Sequence, residues 1–181
     1  VDISFDSKDT SYGLYINDRV RFSSDLTAEI GIRFDHQDAR KTEQFSPRLN
    51  LAWNPKPNLF FRTGYGRFSQ PQDLQEIPVH QGILDQTAPK QATQFIFGCE
   101  YRTTNHIRFN VEVYSKQYDS LWTRYDNFYS SIEFAPETRF DRITLPITSR
   151  TSKGFEAVVK KTEDTGFSWM VNYSWTQVED T

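Results

Sequence analysis

The chain has 181 residues, enough for one or two domains, and 15% of them are aromatic, with fifteen Phe, nine Tyr and four Trp. Mean hydropathy is nonetheless -0.69, so large apolar side chains must be interleaved with polar ones. A net charge of -3 and a pI near 5.6 give no support for nucleic-acid binding through a basic surface, the single Cys99 excludes an internal disulfide framework, and no apolar run of about 18 residues encodes a membrane helix.

Apolar positions step by two along most of the chain, which predicts strands. The first run puts Tyr12, Leu14, Ile16, Val20 and Phe22 on one side and Gly13, Tyr15, Asn17, Arg19 and Arg21 on the other. Asp18 interrupts the apolar side and predicts a bulge or a local partner. In the second run Leu26, Ala28, Ile30, Ile32 and Phe34 oppose Thr27, Glu29, Gly31, Arg33 and Asp35. The third and fourth form a hairpin within 45–71. Leu49, Leu51 and Trp53 alternate with Arg48, Asn50 and Ala52; after NPKPN, Leu59, Phe61, Thr63 and Tyr65 alternate with Phe60, Arg62, Gly64 and Gly66. The two prolines of NPKPN cannot donate to a central ladder and predict a turn over 54–58. The fifth run sets Phe95, Phe97, Cys99 and Tyr101 against Gln94, Ile96, Gly98, Glu100 and Arg102, and the sixth sets Ile107, Phe109, Val111 and Val113 against Arg108, Asn110, Glu112 and Tyr114. In the seventh Phe155, Ala157 and Val159 face away from Glu156, Val158 and Lys160. The eighth sets Phe167, Trp169, Val171, Tyr173 and Trp175 against Ser168, Met170, Asn172, Ser174 and Thr176.

From the second run onward the apolar faces carry no charge, whereas the opposite faces are rich in Arg and Glu. Short turns near Ser23, Asn54, Thr103 and Glu163 alternate with longer segments near 37–45, 69–91 and 119–151. The expected architecture is all-β: an antiparallel, up-and-down sheet with short turns on one rim and long loops on the other, as in outer-membrane barrels. A soluble β-sandwich also alternates, but its strands average about five to six residues, against the roughly nine to eleven of a strand crossing a bilayer. Aromatics near the strand ends, among them Tyr12, Trp53, Tyr65, Tyr101 and Trp175, match the girdles at the bilayer interfaces. A transmembrane barrel wall is the favoured reading and a soluble sandwich used for binding is the alternative.

The segment 45–74, FSPRLNLAWNPKPNLFFRTGYGRFSQPQDL, resembles the barrel of TonB-dependent outer-membrane receptors, in which a ΦSPRΦ strand, a short turn and a strand ending in YGRxFxxP recur. PKQATQFIFGCEYR at 89–102 is similar to the family's next strand, with Gly98 and Glu100 in its G-x-E. NVEVYSKQYDSLWTRYD at 110–126 resembles the strand after that, and SKGFEAVVKKTEDTGFSWMVNYSWTQVED at 152–180 resembles the KGΦE strand and its partner. The resemblance implies that residues 1–181 are part of a receptor β-barrel domain: eight strands of a barrel of about 22, lacking the plug and the C-terminal strands. A barrel of eight strands closed on itself is the rival architecture. The absence of an initial Met at Val1 fits a piece of a longer or processed polypeptide. The implied function is active uptake, in the outer membrane of a Gram-negative bacterium, of a scarce bulky nutrient: an iron chelate, a cobalamin or an oligosaccharide. The implied partners are TonB, the receptor's own plug, the lipid bilayer and the nutrient.

Motifs for chemistry are few. Gly64 and Gly66 lack the third glycine and the helix of a dinucleotide loop, and His36, His80 and His106 are scattered. No cofactor, metal site or catalytic group is expected. An outer-membrane barrel enzyme remains an alternative, with Asp85 and His80 as its only near pair. The candidate ligand contacts in the long loops are Asp73, Glu76, His80, Asp85, Trp122 and Tyr125. The candidate lumen-facing set is Arg33, Arg48, Arg62, Glu100, Arg102 and Arg108, placed either to hold a plug or anionic ligand by bidentate hydrogen bonds or to pair with carboxylates across strands.

Overall fold

The computed structural model describes residues 10–38, 41–71, 88–121, 124–128, 141–145, 147–163 and 166–181. Ten strands follow in order: β1 (Ser11–Arg21), β2 (Leu26–Gln37), β3 (Thr42–Lys56), β4 (Leu59–Gln70), β5 (Lys90–Arg102), β6 (Ile107–Asp119), β7 (Arg124–Asn127), β8 (Arg142–Leu145), β9 (Ser149–Lys161) and β10 (Trp169–Asp180). Eight of them form one antiparallel sheet in the order β1-β2-β3-β4-β5-β6-β9-β10, and β7 pairs with β8 in a separate hairpin within the longest connection. Sequential neighbours pair throughout the large sheet, which is the up-and-down arrangement expected from the alternation. β1 and β10 do not pair with one another among the described residues, so the sheet stays open and the closed eight-stranded barrel is set aside.

The sheet is a single layer. Ala28 is the only hydrophobic side chain buried among the described residues, while Ile30 is 52% exposed, Val111 47% and Tyr173 58%. Period-two alternation places these residues on one face, because side chains of a strand point to opposite sides in turn. The register keeps them aligned: Ile30 lies opposite Leu49, Leu49 opposite Tyr65, Tyr65 opposite Phe95, and Val111 opposite Ala157. Aromatic pairs bridge strands on this face, with Trp53 stacked on Phe61 at 5.4 Å and Phe61 on Phe97 at 6.2 Å. An apolar face of this extent without a second layer has to be covered by something that is not water. At about 3.4 Å per residue and a tilt near 40°, the run from Leu26 to Phe34 rises roughly 21 Å, close to the roughly 25 Å apolar band of a membrane barrel. The soluble sandwich finds no support here, since no second sheet packs on the first among the described residues.

Three local expectations are corrected. The turn of the β3–β4 hairpin is 57–58 rather than 54–58, because β3 continues through Pro55 to Lys56 across a register shift between Trp53 and Lys56. A proline is tolerated where the ladder is irregular. Asp18 produces no bulge: β1 and β2 pair without interruption from Ser11–Gln37 to Arg21–Thr27, and the Asp18 side chain has no hydrogen bond or ion pair among the described residues. Finally, β4, β5, β6 and β9 run several residues further toward the long loops than their apolar alternation does.

Candidate functional site

The other face of the sheet is charged and concave. It holds a cavity of about 870 Å³ across β1 to β10, lined among others by Arg19, Glu29, Arg62, Glu100, Arg108 and Lys160. Two glycines of this face, Gly64 and Gly98, line the cavity, and a Cβ at Gly64 would come 2.9 Å from Asn50 Oδ1.

Its charges are ordered in rows set by the strand register. Toward the short turns Arg102, Arg108 and Lys160 lie directly opposite one another on β5, β6 and β9. Four residues higher along the strands, Glu112 faces Glu156 across β6 and β9, and Gly98 separates Glu112 from Arg62 on β4. Directly opposed side chains have Cβ atoms about 4.5–5.5 Å apart, and like charges so placed repel. Neither Glu112 nor Glu156 has a cation within ion-pair distance among the described residues. An opposed carboxylate pair with no cation of its own is suited to receive a guanidinium or ammonium group between its members.

The six sequence-derived candidates for this face all lie on it, in different circumstances. Arg33 donates to Asp35 on its own strand, Nη2 to Oδ1 at 2.7 Å. Arg48 lies over the Phe68 ring at 4.8 Å. Arg102 donates from Nε to Glu100 Oε1 at 2.6 Å and lies over Phe60 at 4.4 Å, so those two charges are mutually satisfied. Arg62 and Arg108 line the cavity without an ion pair among the described residues. Sequence reasoning left out the Arg19–Glu29 pair, 2.9 Å across β1 and β2, and the Glu112–Glu156 opposition. Both sit on the predicted polar faces, but only the register between strands reveals who faces whom.

Of the loop candidates, Asp73, Glu76, His80, Asp85 and Trp122 lie outside the described residues, and with Asp85 and His80 the enzyme alternative lies outside them too. Tyr125 is described, on β7 opposite Thr144; its hydroxyl is enclosed without a hydrogen-bond partner among the described residues. His36 stacks on Tyr12 at 5.0 Å and lies 3.1 Å from Asp38, on the apolar side of the sheet at the loop rim. His106 occupies the β5–β6 turn with φ 57°, and Thr103 holds that turn through hydrogen bonds to Ile107. Among the described residues no group of His, Cys, Asp and Glu is arranged to hold a metal ion.

Comparison with known proteins follows the same lines. The family description "TonB dependent receptor-like, beta-barrel" matches residues 1–181. Among solved structures, the siderophore receptor PirA from Pseudomonas aeruginosa is similar with a TM-score of 0.73 at 14% identity, over 95% of this chain and 32% of that one. The FrpB iron transporter from Neisseria meningitidis (F3-3 variant) gives 0.67 at 15% identity, over 95% of this chain and 26% of that one. The alcaligin outer-membrane receptor FauA from Bordetella pertussis gives 0.62 at 14%, over 95% and 30%. The chain thus spans about a quarter to a third of the length of these structures, and at such identities the likeness is one of fold. A comparison with curated protein sequences finds no match.

Proposed function

The chain belongs to the TonB-dependent receptor-like β-barrel family, and from that premise we propose that it is a section of the wall of a Gram-negative outer-membrane receptor that imports a scarce, bulky nutrient with energy delivered by TonB. The observation that carries the reading is the family match over the whole chain. The sheet supports it physically: one face suits acyl chains and the other suits water, charge and a plug. The structures it resembles are receptors and transporters rather than enzymes, and their names, an iron transporter and siderophore receptors, favour a ferric chelate ahead of a cobalamin or an oligosaccharide.

In this proposal the wall does no covalent chemistry. The opposed carboxylates of Glu112 and Glu156 receive a cation from the plug, which is a partner outside these residues. With Arg102 engaged by Glu100, Arg108 and Lys160 keep the turn-side mouth of the lumen positive and take carboxylates of the plug or the cargo. The loop residues Asp73, Glu76, His80, Asp85, Trp122 and Tyr125 are proposed as the outer surface met first by the nutrient.

The test is uptake by cells carrying the full-length gene, with and without TonB, using labelled ferric chelates, cobalamin and oligosaccharides. Saturable ferric-chelate uptake that disappears without TonB is expected. Saturable uptake of either other class would replace the nutrient, and no saturable TonB-dependent uptake of any of them overturns the transporter reading. Glu156→Gln is expected to lower uptake while leaving the barrel assembled; unchanged uptake would mean that the carboxylate pair faces only water.

A further inference from the structure

Two cations of the charged face are held in place without being neutralised. Arg48 on β3, Gly66 on β4, Gln94 on β5 and Lys116 on β6 stand directly opposite one another and form one row across the sheet. At one end of the row the Arg48 guanidinium lies over the Phe68 ring at 4.8 Å. That ring covers Gly66, where a Cβ would come 2.9 Å from two of its carbons. At the other end the Lys116 ammonium lies 5.0 Å from the centroid of the Tyr114 ring, which covers Gly154 and is tied to Thr176. The construction is the same twice: a glycine seats a ring, and the ring holds a cation. Attraction to a ring face fixes where a cation sits but adds no negative charge, so its N–H donors are left for an anion. Carboxylates of the same face do not supply that anion. Asp35 is held by Arg33 at 2.7 Å, Glu29 by Arg19 at 2.9 Å and Asp180 by Arg150 at 2.6 Å. Glu112 and Glu156 lie four residues further toward the turns, roughly 14 Å at about 3.4 Å per residue. Among the described residues neither Arg48 nor Lys116 has a carboxylate within ion-pair distance.

We propose that Arg48, Gln94 and Lys116 form an anion-binding station on the lumen wall that restricts the cargo to net-anionic chelates. The inference rests on the receptor reading above and gives its cargo a charge. The two cations stand three strands apart, roughly 14 Å at about 4.8 Å per strand, with the Gln94 amide between them. That span suits anionic groups on two sides of a bulky chelate better than one small anion, and both cations can donate to such groups in charge-assisted hydrogen bonds. Position selects cargo over the plug as the occupant. Gln94 lines a cavity of about 240 Å³ together with Arg48, Asn50 and Phe68. A cavity of about 370 Å³ on the loop side shares Arg48 and Phe68 with it, and the cavity of about 870 Å³ on the turn side shares Asn50, Gly64 and Ile96. The row is therefore open toward the long loops, from which a nutrient arrives, and leads on toward Arg108 and Lys160 at the other rim.

The experiment measures saturable, TonB-dependent uptake by cells carrying the full-length gene. The probes are an anionic ferric tris-catecholate, anionic ferric citrate and a neutral ferric tris-hydroxamate. Uptake of an anionic chelate in preference to the neutral one is expected. Loss of a charged hydrogen bond is worth about tenfold, so Arg48→Gln with Lys116→Gln is expected to raise the KM for that chelate roughly 100-fold and to flatten its dependence on salt. Phe68→Leu keeps both charges and removes the ring under Arg48; it is expected to raise KM several-fold with the maximal rate unchanged. Heat-modifiable migration on a gel verifies that each variant is a folded barrel, and protease protection of the plug reports whether the plug stays seated. Uptake of the neutral chelate equal to that of the anionic ones, or uptake confined to cobalamin or a neutral oligosaccharide, overturns the proposal and leaves the receptor reading standing. An unchanged KM in the folded double variant overturns it as well. So does a double variant whose plug becomes protease-sensitive, since the row then seats the plug. Absence of any saturable TonB-dependent uptake overturns the receptor reading itself, and this inference with it.

Discussion

Gly154 shows why a small residue is needed within the KGFE segment. A Cβ there would lie 2.5 Å from the carbonyl oxygen of Trp175 and 2.6 Å from the Tyr114 hydroxyl oxygen. Tyr114 on β6 stands directly opposite Gly154, passes over it and reaches Thr176 Oγ1 on β10 at 2.7 Å, so one side chain ties three strands on the charged face. Gly154→Val must displace the ring or the backbone and is expected to cost about 1–3 kcal/mol, the range for overpacking. Tyr114→Phe keeps the ring and loses one hydrogen bond, worth about 1 kcal/mol. Denaturant unfolding in lipid vesicles checks both, and a Gly154→Val that unfolds like the parent would refute the packing account. At the β9–β10 turn, the hydrogen bond from Lys161 Nζ to Glu163 Oε1 at 2.9 Å holds the Glu163 carboxyl below its ordinary value of 4.5. A carboxyl lowered in this way adds stability above its ordinary value, and that stability is lost as the pH falls through the folded value. The pair is exposed to water, so the effect is small and confined to the turn. Amide exchange near 162–168 is expected to accelerate as the pH is lowered below about 4.5, beyond the intrinsic pH trend, and Glu163→Gln is expected to remove that extra dependence.

At the scale of the strand, the apolar belt and the rim toward the long loops make opposite demands on the same face. Val111 lies within the belt on β6, opposite Cys99 and Ala157, whereas Ser115 on the same strand lies above it, opposite Phe95 and Lys153. Arginine on a lipid face costs about 2–4 kcal/mol at mid-belt and about 0–1 kcal/mol near the interface. Val111→Arg is therefore expected to destabilise the barrel by about 2–4 kcal/mol and Ser115→Arg by at most about 1 kcal/mol. Unfolding titrations of the two variants in vesicles measure the difference, and equal costs would mean that the belt does not face lipid at this height. The same contrast explains which parts of each strand were legible in the sequence. Where one face is apolar and the other polar the period of two stands out, as from Leu26 to Phe34. Toward the long loops that contrast fades, so Thr151 reads as loop although it is paired with Gln117. β7 and β8 escaped notice for a related reason, since four residues apiece are too few for any period to show.

Over the whole molecule, stability cannot come from a core of the usual kind. With Ala28 the only buried hydrophobic side chain among the described residues, the sheet depends on its ladders, on lipid, and on neighbours at its two free edges, β1 and β10. Unpaired strand edges are templates for association. Residues 1–181 produced alone are expected to self-associate without detergent and not to yield a discrete monomer in sedimentation velocity. A well-behaved monomer in plain buffer would contradict both the lipid-facing belt and the open edges.

By itself the sequence determined the class, all-β and up-and-down, the division of each strand into an apolar and a charged side, the alternation of short turns and long loops, and the resemblance to a receptor barrel. These are local properties, because period two and turn composition are written within a few neighbouring residues. Only the tertiary structure decided that the sheet stays open, that Glu112 meets Glu156 and Arg108 meets Lys160, that Arg102 is already satisfied by Glu100, and that β4, β5, β6 and β9 run beyond their apolar alternation. The physical reason is register. Which residues face one another across strands depends on the sliding of one strand against the next, and that is set by turns, bulges and ladders acting over the whole sheet.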